Sequence, residues 1–395
     1  MKVKRYSNLS RRGPSVWKIV VGIIAVALLV FIGFSLAEPI AKLFSGAYRH
    51  PAESSQASED ASKTLSEVVS DNTGATSSSP EILPETEGFS VTVPVEVLKT
   101  KASEFFESAK ARGVNDVIVE LKDKNGLLHY QSALASAMKA KAVAEDALDL
   151  ASLVKECHDR GMTLTVKIHC FMDHTATALK GAAVRYRTAD GALWLDDYKD
   201  RGGKSWLNPY SQEAKTYLTD IVHELTEQGA DRVILASVRF PGGYQQDAYY
   251  GENTQSRTEC LKSFVAQAKE ATAREVWLEV GVWHYAAKSP EVFGDNALLF
   301  GADGIFANLV AEDFGKSYTV GDRTVNAPSE HPTELIDAVM ETLKTMNTEK
   351  IKIIPSLQGY SYTPAQIKKQ IEETKKYGAE HWALKLTGET VPEIG

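Results

Sequence analysis

The chain has 395 residues, with 44 lysines and arginines against 52 aspartates and glutamates, which gives a formal net charge of −8 at pH 7. Six of the basic residues lie within the first eighteen positions, so the rest of the chain carries −14. An acidic exterior of this kind argues against nucleic acid or anionic lipid as a partner. The three cysteines show no C-x-x-C spacing, which argues against a disulfide framework or a zinc site.

An uncharged segment follows the basic start of the chain. Residues Ile19 to Ala37, "IVVGIIAVALLVFIGFSLA", would form a helix about 28 Å long, close to the apolar thickness of a bilayer. Because positive charge favours the cytoplasmic side, the pattern predicts a cytoplasmic tail over residues 1–18, a transmembrane anchor over 19–37 and an extracytoplasmic remainder. Ser35 and Ala37 also fit a signal-peptide cleavage site, so secretion after cleavage is the alternative.

Residues 38–88 are predicted to form a flexible acidic linker. From Pro51 to Gly88 the chain is rich in Ser, Glu, Thr and Pro and poor in large apolar residues. Such a composition cannot bury enough apolar surface to offset the conformational entropy lost on folding. We therefore expect the linker to separate the anchor from a folded domain over residues 89–395.

From Phe89 onward, short apolar strands alternate with amphipathic helices. The predicted strands begin at Phe89, Asp116, Thr163, Arg232, Val276, Gly304, Ile351 and His381. Two of the clearest helices follow Ser211 and Thr363, and each stops at a glycine. Eight strands that alternate with helices predict an α/β fold of the (β/α)8 TIM-barrel class. An open, doubly wound sheet is the alternative, but no G-x-G-x-x-G motif supports it.

Strand alternation predicts which side chains face the barrel axis. Successive residues of a strand point to opposite sides, so the apolar residues that face the helices leave polar ones inside. The predicted inward residues are Glu120, Lys122, Lys167, His169 and Glu279, joined by Thr92, Asn308, Ser356, Gln358 and Lys385. Buried charges must pair with each other or meet a ligand. One interpretation is a closed ion-pair network without a functional role. The other is a polar ligand site at the C-terminal rim, where barrel enzymes carry their active sites.

Aromatic residues are also placed near this rim, among them Trp206, Tyr210 and Trp283. Aromatic rings beside carboxylates and amides suit carbohydrates, because the C–H faces of a sugar stack on the rings while its hydroxyls form hydrogen bonds. The rim therefore predicts a sugar-binding site.

Four stretches of the chain resemble, in order, landmarks of the bacterial "putative glycosyl hydrolase domain" family of unknown function. They are "VIVELKDKNGLLHYQS", "KSWLNPYSQEA", "ILASVRFP" and "IIPSLQGYSYTPAQIKKQIEETKKYGAEHWAL". The matching residues are Glu120, Lys122, Asp123, Gly126, Tyr130 and Ser132, then Leu207, Asn208, Pro209 and Tyr210 of an L-N-P-Y turn, and Leu357 and Gln358 of an L-Q pair. The resemblance runs from about Phe89 almost to the C-terminus and implies a (β/α)8 barrel that hydrolyses glycosidic bonds.

The fourth strand departs from the family pattern. Family members read F-D-Y-x-R-F-P there, and the resemblance implies that the aspartate is catalytic. The R-F-P is retained here from Arg239, whereas Ala236 and Ser237 replace the aspartate and the tyrosine. The family often has another inward aspartate near the position of Gly281, and this carboxylate is missing too.

Glycoside hydrolysis needs two carboxyl groups, about 5–5.5 Å apart for retention of the anomeric configuration or about 6.5–9.5 Å apart for inversion. The catalytic candidates are Glu279, Glu120 and Asp123. We expect Glu120 to pair with Lys122, which would keep it ionised, and Glu279, between two tryptophans, to have a raised pKa suited to the acid role. We expect Arg239 to pair with Glu120 or Glu279, or to bind an anionic ligand.

The substrate-binding candidates are Lys122, His169, Asp173, Trp206, Asn208, Tyr210, Arg239, Trp283, Asn308, Gln358 and Lys385. His169, Asp173 and His174 also suggest a metal-dependent polysaccharide deacetylase, although their spacing fits no familiar ligand pattern. No cofactor is expected. Two main hypotheses remain. The first is a membrane-tethered glycoside hydrolase that acts on cell-envelope or extracellular polysaccharide. The second is a non-catalytic carbohydrate-binding or scaffolding relative that has lost the catalytic pair.

Overall fold

The computed structural model describes residues 88–188, 191–242, 247–285, 292 and 294–394, and eight strands in it form a closed parallel barrel. They are β1 Phe89–Val93, β2 Val114–Lys122, β3 Thr163–His169, β4 Arg232–Ala236, β5 Glu275–Val280, β6 Gly304–Asn308, β7 Ile353–Gln358 and β8 Ala383–Lys385. Because β1 pairs with both β2 and β8, the sheet closes on itself. The predicted barrel is confirmed, and each strand begins within two residues of its predicted start.

Helices cover the outside of the barrel. Those in the described residues are α1 Val95–Ala111, α2 Ala135–Ala140, α3 Leu150–His158, α4 Gln212–Glu227, α5 Arg257–Glu270, α7 Pro332–Met346 and α8 Pro364–Lys375, whereas the short helix α6 Val282–Tyr285 lies at the C-terminal rim. Helices α4 and α8 begin where the sequence predicts, because the side chains of Ser211 and Thr363 accept hydrogen bonds from backbone N–H groups of the first turn. The buried apolar residues of the helices pack against the outward face of the strands.

Several connections that leave the C-terminal ends of the strands contain short strands of their own. These are Leu128–Tyr130 and Val143–Leu148 after β2, Arg185–Tyr186 after β3, Ala248–Tyr249 after β4, and Ser317–Val320 with Arg323–Asn326 after β6. The segments after β3 and β4 pair with each other, and the two strands after β6 form a hairpin. The C-terminal side of the barrel is therefore the more elaborate one, as is usual where a barrel carries a functional site.

The inside of the barrel has an apolar layer below a polar one. The apolar layer is a separate cluster formed by Ile118, Ile234, Trp277, Phe306, Ile354 and Ala383. The next inward positions toward the C-terminal ends of the strands are Glu120, Lys167, Glu279, Asn308 and Lys385. The apolar layer thus separates these polar side chains from the opposite end of the barrel.

The predicted anchor, Ile19 to Ala37, lies outside the described residues, as does the linker up to residue 87. Within the ranges that the structure describes, no helix is both long and apolar enough to cross a membrane. The anchor and the linker therefore remain predictions from the sequence.

Candidate active site at the barrel mouth

A pocket of about 520 Å³ opens at the C-terminal mouth of the barrel. As alternation predicts, its lining includes Glu120, Lys167, His169, Glu279, Asn308 and Lys385. A second pocket of about 430 Å³ adjoins it and shares His169, Glu279 and Asn308. A larger cavity of about 670 Å³ lies beside the starts of β7 and β8, at the opposite end of the barrel, and contains none of these residues. Because barrel enzymes carry out chemistry at the C-terminal mouth, the two pockets there form the candidate site.

One lysine joins the two inward glutamates. The Nζ atom of Lys167 lies 3.0 Å from a carboxylate oxygen of Glu120 and 3.3 Å from one of Glu279, so these two oxygens are no more than about 6.3 Å apart. His169 adds a contact of 3.2 Å between its Nε2 atom and Glu120. The predicted pair between Glu120 and Lys122 does not form, since Lys167 and His169 take its place.

The network sets the charges of Glu120 and Lys167. Burial disfavours a charged carboxylate, but Lys167 and His169 outweigh burial and hold the pKa of Glu120 well below its usual range. Burial also opposes the charge of Lys167, but attraction to Glu279 and Glu120 outweighs it and raises the pKa of the amine. Glu120 is therefore ionised at neutral pH and cannot donate a proton.

Glu279 has different surroundings from those that the sequence predicts. Its side chain is 17% exposed and accepts a hydrogen bond from Lys167. Of the two neighbouring tryptophans, Trp277 belongs to the apolar layer below, and Trp283 is 48% exposed at the rim. The contact that the structure shows for this carboxylate is thus an ion pair and not an apolar wall.

Lys122 points away from the barrel axis, so the prediction that it faces the interior is wrong. The pairing register shifts between Glu120 and Lys122, and this bulge puts Lys122 opposite Ile168. The Lys122 ammonium group is fully buried, 2.7 Å from a carboxylate oxygen of Asp173 and 2.6 Å from the carbonyl oxygen of His169. Lys122 and Asp173 are candidates for substrate binding, but both are 0% exposed and neither lines a pocket of the mouth.

Asp123 lines the mouth pocket of about 520 Å³ as part of a tight turn. Its carboxylate accepts hydrogen bonds from the backbone N–H groups of Asn125 and Leu127. Burial would raise the pKa of this carboxyl, but hydrogen bonds from His129 and from the two N–H groups outweigh burial and lower it to about 2. The arrangement favours a charged residue that shapes the turn over a proton donor.

Arg239 contacts aromatic rings. Its guanidinium carbon lies 4.7 Å from the ring centre of Trp206 and 5.0 Å from that of Trp283. Burial lowers the pKa of Arg239 to about 10, which leaves the group charged at pH 7. Among the described residues, neither Glu120 nor Glu279 forms the predicted ion pair with Arg239.

The L-N-P-Y turn and the tryptophan before it have structural contacts outside the pockets. Trp206 is buried and donates its indole N–H to Asp196. The side chain of Asn208 accepts a hydrogen bond from the N–H of Tyr210 and donates one to the carbonyl oxygen of Tyr250. Neither Trp206, Asn208 nor Tyr210 lines a pocket of the mouth, so the structure does not bring these three candidates to the site.

Asn308 and Lys385 line the site and both contact Asp313, a residue that the sequence analysis does not identify. The Nδ2 atom of Asn308 donates to Asp313 at 2.8 Å, and Nζ of Lys385 lies 3.6 Å from it. Gln358 is fully buried, and its amide bonds to neighbouring backbone groups outside both pockets. The position of Asp313 soon after β6 is a usual place for site residues, but its inward direction depends on the short helical turn Ala311–Phe314.

The metal-dependent alternative finds no support in the described part of the chain. No three His, Cys, Asp or Glu residues among those described come together as metal ligands. Asp173 is occupied by Lys122, and Nδ1 of His174 lies 2.9 Å from the hydroxyl oxygen of Ser205.

Residues 88–387 match the model of a family described as "Putative glycosyl hydrolase domain". The chain belongs to this family. The match extends from the start of β1 to the end of β8, and it confirms the family predicted from the four landmark stretches.

A solved glycosidase structure has a similar barrel. An α-L-fucosidase from Paenibacillus thiaminolyticus matches with a TM-score of 0.50 and 12% identity, over 78% of this chain and 47% of its own. An α-galactosidase from Thermus thermophilus has a TM-score of 0.45 and 10% identity, over 75% of this chain and 57% of its own. A hypothetical protein from Ruminiclostridium thermocellum has a TM-score of 0.43 and 21% identity, over 48% of this chain and 96% of its own. This chain spans about half the length of the two glycosidases, and the fucosidase match shows the fold alone. No curated protein has a matching sequence.

Proposed function

We propose that this chain is a polysaccharide-binding barrel in which the acid–base machinery for glycosidic cleavage is disabled. The proposal rests on the position of Lys167. Its ammonium group contacts both inward glutamates, and it helps to keep Glu120 ionised. Glycosidic cleavage requires one carboxyl group that delivers a proton. The family pattern has aspartates at the position of Ala236 and near that of Gly281, and neither of these two residues has a carboxyl group.

The barrel mouth retains features that suit a carbohydrate. Its pockets of about 520 and 430 Å³ are within the range of ~300–1,000 Å³ that is common for small-molecule sites. Trp283 offers an exposed ring for stacking, and Asn308 and Lys385 offer donors for sugar hydroxyls. These groups support a ligand from cell-envelope or extracellular polysaccharide.

Retention on insoluble polysaccharides tests the proposal. The full-length chain is incubated with peptidoglycan, chitin and α- and β-glucans, and bound protein and released reducing ends are measured separately. We expect retention on at least one of them without release of reducing ends. Trp283→Ala should weaken retention about tenfold, the equivalent of one stacking contact of ~1.4 kcal/mol. Tyr198→Ala is the matched control, since this exposed aromatic lies outside both pockets. No retention on any polysaccharide would contradict the proposal.

An active glycoside hydrolase is the second candidate, and the short distance between the two glutamates favours it. The carboxylate oxygens that contact Lys167 are at most about 6.3 Å apart, which is below the ~6.5–9.5 Å of inverting enzymes and compatible with the ~5–5.5 Å of retaining ones. In that case Glu279 is the acid, and Glu279→Gln lowers the release of reducing ends by about 10²–10⁴-fold. Such turnover and its loss would establish this candidate in place of the binding protein.

We infer from the sequence that residues 19–37 anchor the barrel to the outer face of the cytoplasmic membrane. The lack of charge over this segment and the six basic residues before or beside it support the inference. After expression in bacteria, the full-length chain should stay in the membrane fraction through an alkaline wash, and protease added to spheroplasts should digest the barrel. A soluble product that begins after Ala37 would establish the secreted alternative instead.

A further inference from the structure

Ser237 lies directly after β4 in a backbone conformation that serine rarely adopts. Its φ angle is +54°, in the left-handed region that residues with side chains avoid. Its hydroxyl oxygen lies 2.7 Å from Nδ1 of His169, and both residues line the pocket of about 430 Å³. Strained residues of this kind persist where the surrounding structure holds them, and they cluster at functional sites. Neither the carbohydrate-binding barrel nor the glycoside hydrolase proposed above involves Ser237.

His169 connects this serine to a carboxylate. Its Nε2 atom lies 3.2 Å from an oxygen of Glu120. Because an ionised carboxylate only accepts hydrogen bonds, the ring proton belongs on Nε2, and Nδ1 then presents its lone pair to Ser237. Burial lowers the pKa of His169, although Glu120 opposes this, so the buried ring is neutral and able to accept a proton.

We propose that Ser237, His169 and Glu120 are the nucleophile, the general base and the orienting carboxylate of a carboxylic-ester hydrolase. Serine hydrolases are recognised by a hydroxyl within hydrogen-bond reach of an imidazole whose other nitrogen meets a carboxylate. The three residues come from the C-terminal ends of the adjacent strands β4, β3 and β2. The substrate class, a short O-acyl group on a sugar hydroxyl, rests on the proposed polysaccharide ligand, whereas the triad itself does not.

The pocket of about 430 Å³ has groups that suit the acyl chain and the carbonyl oxygen of an ester. Met172 and Trp283 line it together with Ser237 and offer apolar surface to a short acyl chain. Arg239 lines the same pocket, and among the described residues no carboxylate forms an ion pair with it. In this arrangement Arg239 supplies positive charge to the oxyanion that develops from the ester carbonyl.

The reaction balances with water as the only co-reactant. Oγ of Ser237 attacks the carbonyl carbon while its proton passes to Nδ1 of His169, and negative charge develops on the former carbonyl oxygen. The bond between this carbon and the sugar oxygen breaks, the proton moves from Nδ1 to the sugar oxygen, and the acyl group remains on Ser237. Water then attacks the acyl carbon with His169 as base, which releases the carboxylic acid and restores the serine hydroxyl.

Hydrolysis of 4-nitrophenyl acetate and labelling with a fluorophosphonate test the triad without any polysaccharide. We expect the full-length chain to release 4-nitrophenol and to take up one fluorophosphonate, located at Ser237 by mass spectrometry. Ser237→Ala should lose both. Ser237→Gly should also lose both, and because glycine tolerates φ +54° this variant separates chemistry from folding. Glu120→Gln should lower hydrolysis by about 100-fold or more.

Ser205 provides a matched control. Its hydroxyl also contacts a histidine, at 2.9 Å from Nδ1 of His174, but no carboxylate among the described residues pairs with that ring. Ser205→Ala should keep both hydrolysis and labelling at Ser237. Hydrolysis that survives in both Ser237 variants, labelling only at another residue, or a folded wild-type chain that neither hydrolyses nor labels would overturn the triad. Retention on polysaccharide is measured separately, so failure of either proposal is visible without the other.

Discussion

Replacing Lys167 with methionine tests the electrostatic account of the barrel mouth. Lys167 is 13% exposed, and its ammonium group contacts both Glu120 and Glu279. Methionine keeps an unbranched side chain of similar length but removes the charge and the three hydrogen-bond donors. In Lys167→Met the two carboxylates remain close together without a cation in contact.

The expected loss of stability follows from the distance between the carboxylates of Glu120 and Glu279. Two like charges no more than about 6.3 Å apart repel each other by at least ~2.6 kcal/mol at an effective dielectric constant of about 20. Removing one partner of a fully buried ion pair costs about 3–5 kcal/mol, but Glu120 is 33% exposed, and solvent screening reduces the loss. We therefore expect Lys167→Met to lower the free energy of unfolding by about 2–3 kcal/mol at pH 7.

The loss should depend on pH in a direction that Glu120 sets. Folding lowers the pKa of Glu120 in the wild-type chain, so its stabilising contribution is present above the unfolded value of 4.5 and is lost as the pH falls through the folded value. Lys167→Met removes one of the two groups that lower the pKa of Glu120, so the folded carboxyl takes up a proton at a higher pH than in the wild type. The difference in stability between the two chains should therefore shrink between pH 7 and pH 4.

Urea unfolding followed by tryptophan fluorescence at pH 7 and pH 4 measures both effects. Lys155→Met is the control, because Lys155 forms an exposed pair with Asp159 and its loss should change stability by less than about 0.5 kcal/mol. A loss below about 1 kcal/mol for Lys167→Met at pH 7, or the same loss at both pH values, would contradict the role of Lys167 as the counter-charge of the two glutamates.

Three other contacts can be tested by urea unfolding at pH 7. Gly126→Ala should cost about 1–3 kcal/mol, because φ is +91° and an added Cβ would lie 2.0 Å from Oδ1 of Asp173; unchanged stability would argue against this close approach. Lys122→Met should cost about 3–5 kcal/mol, since it leaves the buried Asp173 unpaired. Combining it with Asp173→Leu should restore part of the loss, and an additive loss would contradict the pairing. Glu224→Ala should cost about 2–3 kcal/mol, because this carboxylate accepts three hydrogen bonds, from the hydroxyl groups of Tyr130 and Ser132 and from the backbone N–H of Ala133. An equal effect of Glu227→Ala, an exposed change on the same helix, would count against that role.

Sequence alternation was sufficient to find the polar mouth of the barrel. Glu120, Lys167, His169 and Glu279 all line it, because the two-residue period of a strand is a local property of extended backbone. The same rule failed at Lys122, where one extra residue in the strand changes the side that the next side chain faces. A bulge depends on the pairing with β3, which the residues of β2 alone do not specify.

Hydrophobic periodicity and landmark residues are local features of the chain, and they were enough to predict the barrel, its family and most of the inward polar positions. The partners of those positions became visible only in the folded chain. It joined Glu120 to Lys167, placed Arg239 against two indole rings, and brought Ser237 to His169. Such contacts depend on the register between neighbouring strands and on the paths of the connections after them, and both are set by residues that are far apart in the chain.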